Sequence, residues 1–361
     1  MTALDIFRAT VEHRHHTETL FHASFTPDLA PRVSEHFGVE SIEDLFERIG
    51  VPEWVEVVVP KRPDPVNHDF TQYYLDIVLP KGVDLASHID IRGMLRVPGS
   101  SYHFTRSVGP LRNATTLDEV ERFPLPSPED YRFDPDGMRT AVDSAHAAGK
   151  PVSCSTGHMY EEAWQIRGYE EFLIDMIAEP DIPAYLLEQY CIKNIAIAET
   201  AAKAGVDLLK IADDVANQNS LMFSIDLWRK FIKSRWARVI DAARAIKPDI
   251  EVWYHTDGNA LEILPELIEI GITILNPVQP ECMNVNQVKR EYGDRLVFDG
   301  TIGTQSTMPF GTPNEVRRVI QERKRVVGAD GALIISPTHV LEPEVPLENI
   351  EAFFDECRVS A

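Results

Sequence analysis

The chain reads as an α/β protein, a (β/α)8 TIM barrel, and three observations carry that expectation. Six short apolar runs each end in polar residues: VSCST-GH from Val152, LLKIA-DD from Leu208, EVWY-HTDG from Glu251, ITIL-NPVQP from Ile272, LVF-DGTIGTQ from Leu296 and LIIS-PTH from Leu333. Helical patterns alternate with them, at 169–178, 182–204, 225–247, 259–270, 284–292, 313–328 and 347–357. Two earlier strand-like runs, TLFHASF (19–25) and WVEVVV (54–59), bring the strands to eight, the number that closes such a barrel. A doubly wound open sheet needs a glycine-rich phosphate turn after an early strand. The only similar stretch, DGTIGT (299–304), follows a late one.

The elements follow in order. Residues 3–16 read as a short helix, and PDLAPRVSEHFG and SIEDLFERIG as two helices stopped by glycine. Residues 61–115 form a β-rich excursion within a single domain of residues 1–361, with strand-like pieces YYLDIVL and SYHFTRSV. TTLDEVERF opens a helix through a threonine cap and an acidic first turn. LPSPEDYRFDPDG is an ordered linker, and GMRTAVDSAHAAG is a helix ending in glycine.

Composition narrows the function. The net charge of −22 excludes a nucleic-acid binder, whose phosphates demand a basic surface, and an anionic membrane surface. No apolar run approaches the roughly 18 residues that a membrane span requires. Cys154, Cys191, Cys282 and Cys357 form no C-x-x-C pair. A reducing cytoplasm is the expected location. Cys154, inside a strand, reads as a buried hydrophobe, and HRHH (13–16) as a solvated helix face.

In a barrel the loops after the strands build the active site. His255 and Asp257, two apart at a strand end, point to one side, and Gly258 lets the backbone turn away. With His339 after the last strand they offer two imidazoles and a carboxylate, a set suited to zinc or non-haem iron. The same residues equally suit metal-free acid/base work. Asp213 and Asp214 are paired carboxylates, candidates for the proton acceptor, against capping of the next helix as the alternative. Gln218, Asp299 and Gln305 are candidates for holding a polar substrate, as are Tyr160, Trp164 and Arg167, whose guanidinium suits a substrate carboxylate.

From about Pro151 onward the chain resembles the uroporphyrinogen decarboxylase superfamily, closer to its corrinoid-linked methyltransferase branch, which includes methylcobalamin:coenzyme M methyltransferases. The segments that carry the likeness are YEEAWQIRGYEEFLIDM, GVDLLKIADDVANQ, YHTDGN, IGITILNPVQPE, FDGTIGTQSTMPFGTPNEV and SPTHVLEPEVPLENIEAF. The resemblance implies a (β/α)8 barrel and a metal site. In the zinc methyltransferases the ligands are His-x-Cys and a later Cys; His255 falls on the histidine, Asp257 on the first cysteine and His339 on the second. That set is harder than a thiolate set and suits oxygen ligands, or iron and manganese, better. The decarboxylases' arginine-rich N-terminal segment is missing, and their tyrosine after the third strand falls at Trp164.

The sequence therefore leads to a metal-assisted methyl- or group-transfer enzyme for a small substrate. The resemblance implies zinc ahead of iron or manganese, methylcobalamin carried by a corrinoid protein partner, and a homodimer. The alternatives are a lyase for a small carboxylated substrate and a non-catalytic ligand-binding barrel.

Overall fold

Ten strands occur among the described residues, which are 1–52, 54–61, 68–97 and 106–360 of a computed structural model. They are β1 (Leu20–Phe21), β2 (Val55–Val57), β3 (Leu95–Val97), β4 (Arg106–Val108), β5 (Val152–His158), β6 (Leu208–Ala212), β7 (Glu251–His255), β8 (Ile274–Asn276), β9 (Val297–Asp299) and β10 (Leu333–Ile335). Eight of them form one parallel sheet in the order β1-β10-β9-β8-β7-β6-β5-β2. The first strand thus pairs with the last, as the expected curled α/β architecture requires. Among the described residues no ladder joins β1 to β2. Side chains meet across that seam instead: the rings of His22 and Trp54 lie 5.2 Å apart, centroid to centroid.

Alternation along each strand creates two apolar layers. Phe21, Leu209, Val252, Tyr254, Leu275, Phe298 and Ile335 face outward into the helical layer. Leu20, Leu208, Ile274, Val297 and Ile334 converge from around the ring, and Ile6 and Phe7 join them. Burying each such side chain contributes about 1.5–3 kcal/mol. Ile6 and Phe7 belong to the helix Ala3–Val11, which starts at a Thr2–Asp5 capping box. Its Leu4 amide donates to the Gly149 carbonyl (2.8 Å), just before β5. The helix therefore plugs the end of the barrel opposite the polar strand endings.

Some elements differ from expectation. The first helix stops at Val11 rather than residue 16, and His13 takes a left-handed φ of 51° as the Arg14 amide turns back onto the Ala9 carbonyl. HRHH is therefore not a helix face; His13 lies 3.6 Å from Asp330, and His16 bonds Thr10. The helix expected over 225–247 is broken by a π-helical turn, Arg229–Lys233, which leaves Trp228, Phe231, Ile232 and Trp236 all buried. The excursion at 61–115 holds less strand than expected. YYLDIVL begins in a 3-10 turn, Thr71–Tyr74, and among the described residues no partner strand covers Leu75 and Val78, which are exposed. Of SYHFTRSV, residues 101–105 lie outside the described residues. Arg106–Val108 pairs antiparallel with Leu95–Val97. Buried Tyr74 ties this ribbon down by donating to the Val108 carbonyl (3.0 Å) and accepting from the Leu95 amide (3.1 Å). Among the described residues no helix is long and apolar enough to cross a membrane.

Candidate functional site

The site grows out of strand register. His158 of β5 pairs with Ala212 of β6, Ala212 with His255 of β7, and His255 with Asn276 of β8. Four strand ends are thus level, and the loops that leave them share one rim. One layer down, inward side chains are polar. Lys210 pairs with Glu56 (3.0 Å) and lies over the Trp253 ring (5.0 Å).

At the rim, ligand atoms of Asp214, His255 and Asp257 all lie within 4.8 Å of one another. The Asp257 amide donates to Asp214 Oδ1 (2.7 Å), and His255 Nε2 lies 3.8 Å from the same oxygen. Gly258 follows with φ 85°, and a Cβ there would meet the Asn217 carbonyl oxygen at 2.5 Å. Only glycine allows this approach of the two loops. The Gly258 amide in turn donates to Gln279 Oε1 (3.1 Å), so the Asp257 loop is clamped from both sides. Burial pushes the Asp257 carboxyl above its ordinary pKa; Asp214 and Glu161 push the same way, against His255 and His339. Two carboxylates so crowded favour a shared cation or a shared proton.

Of the expected metal set, His255 and Asp257 fall in this close group, with Asp214 as its third member, and His339 does not. His339 is exposed on the loop after β10, outside the three-residue group, though near enough for its charge to act on Asp257. Cys282 is half-buried nearby; burial, Glu281 and Asp257 all raise its thiol pKa, so it stays protonated.

The Asp213–Asp214 pair splits. Asp213 is fully buried and faces away, accepting from the amides of Met159 (2.9 Å) and Glu161 (3.2 Å) and from Trp236 Nε1 (2.8 Å). Burial pushes it up to about 7, against the pull of His158 and of those amides. It anchors the start of the helix Tyr160–Arg167, which precedes it in the chain, rather than capping the helix that follows, and leaves Asp214 as the member of the pair at the mouth. Arg167 does not reach the mouth either. It is buried, with Nε on Asp175 (2.7 Å) and Nη1 on the Leu111 carbonyl (2.6 Å). Tyr160 is buried between Phe172 and Phe223, while Trp164 is half-buried edge-on to Tyr169. Gln218 and Gln305 are brought together, joined by a 2.8 Å hydrogen bond between exposed loops after β6 and β9.

Asp299 is buried beneath the rim rather than open to a substrate. His22 Nε2 (3.0 Å), Ser336 Oγ (2.7 Å) and Trp253 Nε1 (2.8 Å) surround it. Burial alone would raise its pKa; His22 and these hydrogen bonds outweigh that and hold it below the ordinary carboxylate range. His22, Trp253, Asn276 and Ser336 were not singled out from the sequence. Trp253 and His255 share strand alternation, which was the available signal.

A cavity of about 960 Å³ lies to one side, lined in part by Lys61, Arg92, Glu129, Tyr131, Glu162 and Lys193. Two of its cations are paired, Lys193 with Glu162 (2.7 Å) and Arg92 with Asp90 (3.1 Å). None of Asp214, His255 and Asp257 lines it.

A curled parallel sheet with acid/base side chains gathered at the C-terminal ends of its strands defines a barrel of the enzyme type. The family model described as uroporphyrinogen decarboxylase (URO-D) matches residues 83–359, and the chain belongs to that enzyme family. Among solved structures, a methyltransferase from Methanosarcina mazei is similar at TM-score 0.65 and 17% identity, over 99% of this chain and 98% of that one. A B12-independent methionine synthase from Shewanella sp. W3-18-1 matches at TM-score 0.41 and 13% identity, over 61% and 65% of the two chains. No curated protein sequence matches the chain.

Proposed function

We propose that the chain is a metal-assisted methyl- or group-transfer enzyme for a small substrate, with a corrinoid protein as its methyl-carrying partner. One observation carries this: an imidazole and two carboxylates converge at a barrel mouth, with ligand atoms within 4.8 Å. The donor set fits a divalent ion, since it balances two positive charges with two negative ones and leaves coordination positions open. Zinc is preferred over iron or manganese. Asp214, His255 and Asp257 would hold the ion, which would supply a Lewis acid that makes a substrate oxygen or sulfur a better nucleophile.

The protein's own groups do the rest. His339, exposed beside Asp257, accepts the substrate proton. The bridged Gln218 and Gln305 and the half-buried Trp164 place the substrate over the three donors. An open mouth lets a methylcobalamin-bearing partner approach. The family and the overall likeness to a methyltransferase fold support this reading; the unpaired cysteines favour the cytoplasm, and the resemblance favours a homodimer.

Elemental analysis of protein purified without chelator tests the ion. Near-stoichiometric zinc is expected; less than about a tenth of an equivalent would overturn the proposal. Mixing the loaded protein with methylcobalamin and small thiols or alcohols should change the cobalamin spectrum. Carbon dioxide release from carboxylated substrates, without such a change, would replace transfer with the lyase chemistry.

A further inference from the structure

We propose that Asn276 is a positioning residue that fixes the tautomer of His255 and thereby selects which ring nitrogen faces Asp214 and Asp257. The inference rests on the metal-holding role proposed above, and deepens it. Asn276 ends β8, directly across the ladder from His255, and is only 6% exposed. Its side chain lies against the imidazole, with Oδ1 2.7 Å from Nδ1. An amide oxygen can only accept, so Nδ1 carries the proton. Nε2 is then left with its lone pair, and Nε2 is the nitrogen near Asp214, 3.8 Å from Oδ1. The ring cannot easily turn away from this choice, because Trp253 stacks on it at 5.7 Å and 16°. A histidine ligand commonly has its second nitrogen held in this manner, and the holding group sets both tautomer and basicity.

The choice of an amide has a second consequence. A carboxylate in this position would add a third negative charge beside Asp214 and Asp257. Asparagine orients the ring without doing so, and the site with a divalent ion stays electrically neutral.

Selective ¹⁵N labelling of histidine reads the tautomer directly in ion-free protein, at a pH where the His255 signals no longer change with further added base. His255→Ala assigns the signal. The wild type should show Nδ1 protonated and Nε2 bare; the opposite tautomer would mean that the amide nitrogen donates to Nδ1, and would overturn the proposal. Asn276→Leu should give a mixture of tautomers and weaken zinc about 10- to 100-fold in competition with a chromophoric chelator. Asn276→Asp, which keeps the acceptor, should keep the Nδ1–H form and bind zinc at least as tightly as the wild type. An unchanged tautomer and unchanged zinc affinity in folded Asn276→Leu protein would sink the inference. If wild-type protein takes up no zinc but shows the Nδ1–H tautomer that Asn276→Leu loses, the orienting role stands and the metal-dependent function falls.

Discussion

The indole of Trp253 lies nearly flat against the imidazole of His255, centroids 5.7 Å apart and planes 16° apart. The same indole donates its N–H to Asp299 (2.8 Å), a buried carboxylate that also holds Ser336 and His22. A rigid post thus runs from the inner layer of the barrel to the histidine at the mouth. Because β9 carries Asp299 and β7 carries Trp253, the post also ties together strands that are not neighbours.

Asp299→Ala should therefore act on stability before it acts on chemistry. It strands the Trp253 N–H, the Ser336 hydroxyl and the half-buried His22 ring nitrogen, and should cost about 2–4 kcal/mol in denaturant unfolding. Asp299→Asn should cost less. If Asp299→Ala unfolds like the wild type but binds substrate poorly, the carboxylate touches substrate after all.

His339→Ala separates ion holding from proton transfer. Zinc content and affinity should stay within about threefold of wild type, because the three-residue group is intact, while turnover falls roughly 100-fold or more. Asp257→Ala and His255→Ala should instead abolish tight uptake. Loss of zinc in His339→Ala, measured by elemental analysis, would return the imidazole to the ligand set.

Arg167 tests a buried ion pair. Arg167→Ala removes the partner of Asp175 and leaves that charge among apolar neighbours, for an expected loss of about 3–5 kcal/mol. Removing both members, Arg167→Leu with Asp175→Leu, should be milder than either single change. Normal stability in Arg167→Ala with a raised KM would show that the guanidinium serves substrate instead.

Glu266 gives the pH dependence. Arg229 Nε (2.8 Å) and Lys233 Nζ (2.8 Å) donate to it, and these contacts, Arg229 foremost, bring its carboxyl down to about 2 from 4.5. A depressed folded pKa gives stability that is present above the unfolded value and lost as pH falls between those two numbers. Solvent screens this half-buried pair, so Glu266→Gln should lose about 1 kcal/mol at neutral pH. The difference from wild type should fade below about pH 3. A constant difference down to pH 2 would assign the loss to packing.

The strand endings were legible because a parallel strand buried on both faces leaves a short apolar run, and its exit to the rim leaves polar residues. His255, Asp257 and Gly258 follow from alternation and from a tight turn, both of which are local. The exchange of Asp214 for His339 is not local. Which member of an Asp–Asp pair turns inward depends on the phase of β6 and on Trp236, which claims Asp213 from a helix 23 residues on. Arg167 misled for the same reason: a guanidinium near a strand end suits a substrate, but Asp175, one helix later, sits closer. Asp299 carries the chemistry of a substrate ligand, and only its three donors, drawn from β7 and from the loops after β1 and β10, reveal a structural group. The excursion read as strand because its pieces are strand-like, yet among the described residues its one sheet is the two-stranded ribbon of Leu95–Val97 with Arg106–Val108, and Leu75 and Val78 stay in solvent.

The N-terminal helix gives the barrel a floor. With Ile6 and Phe7 wedged among the inward side chains of β1, β6, β8, β9 and β10, the ring is a cup, not a tube. The mouth above His255, where the Gln218–Gln305 bridge lies, is the open side of that cup. With the floor closed, the proposed reaction would draw in its substrate and give up its product on the same side of the ring.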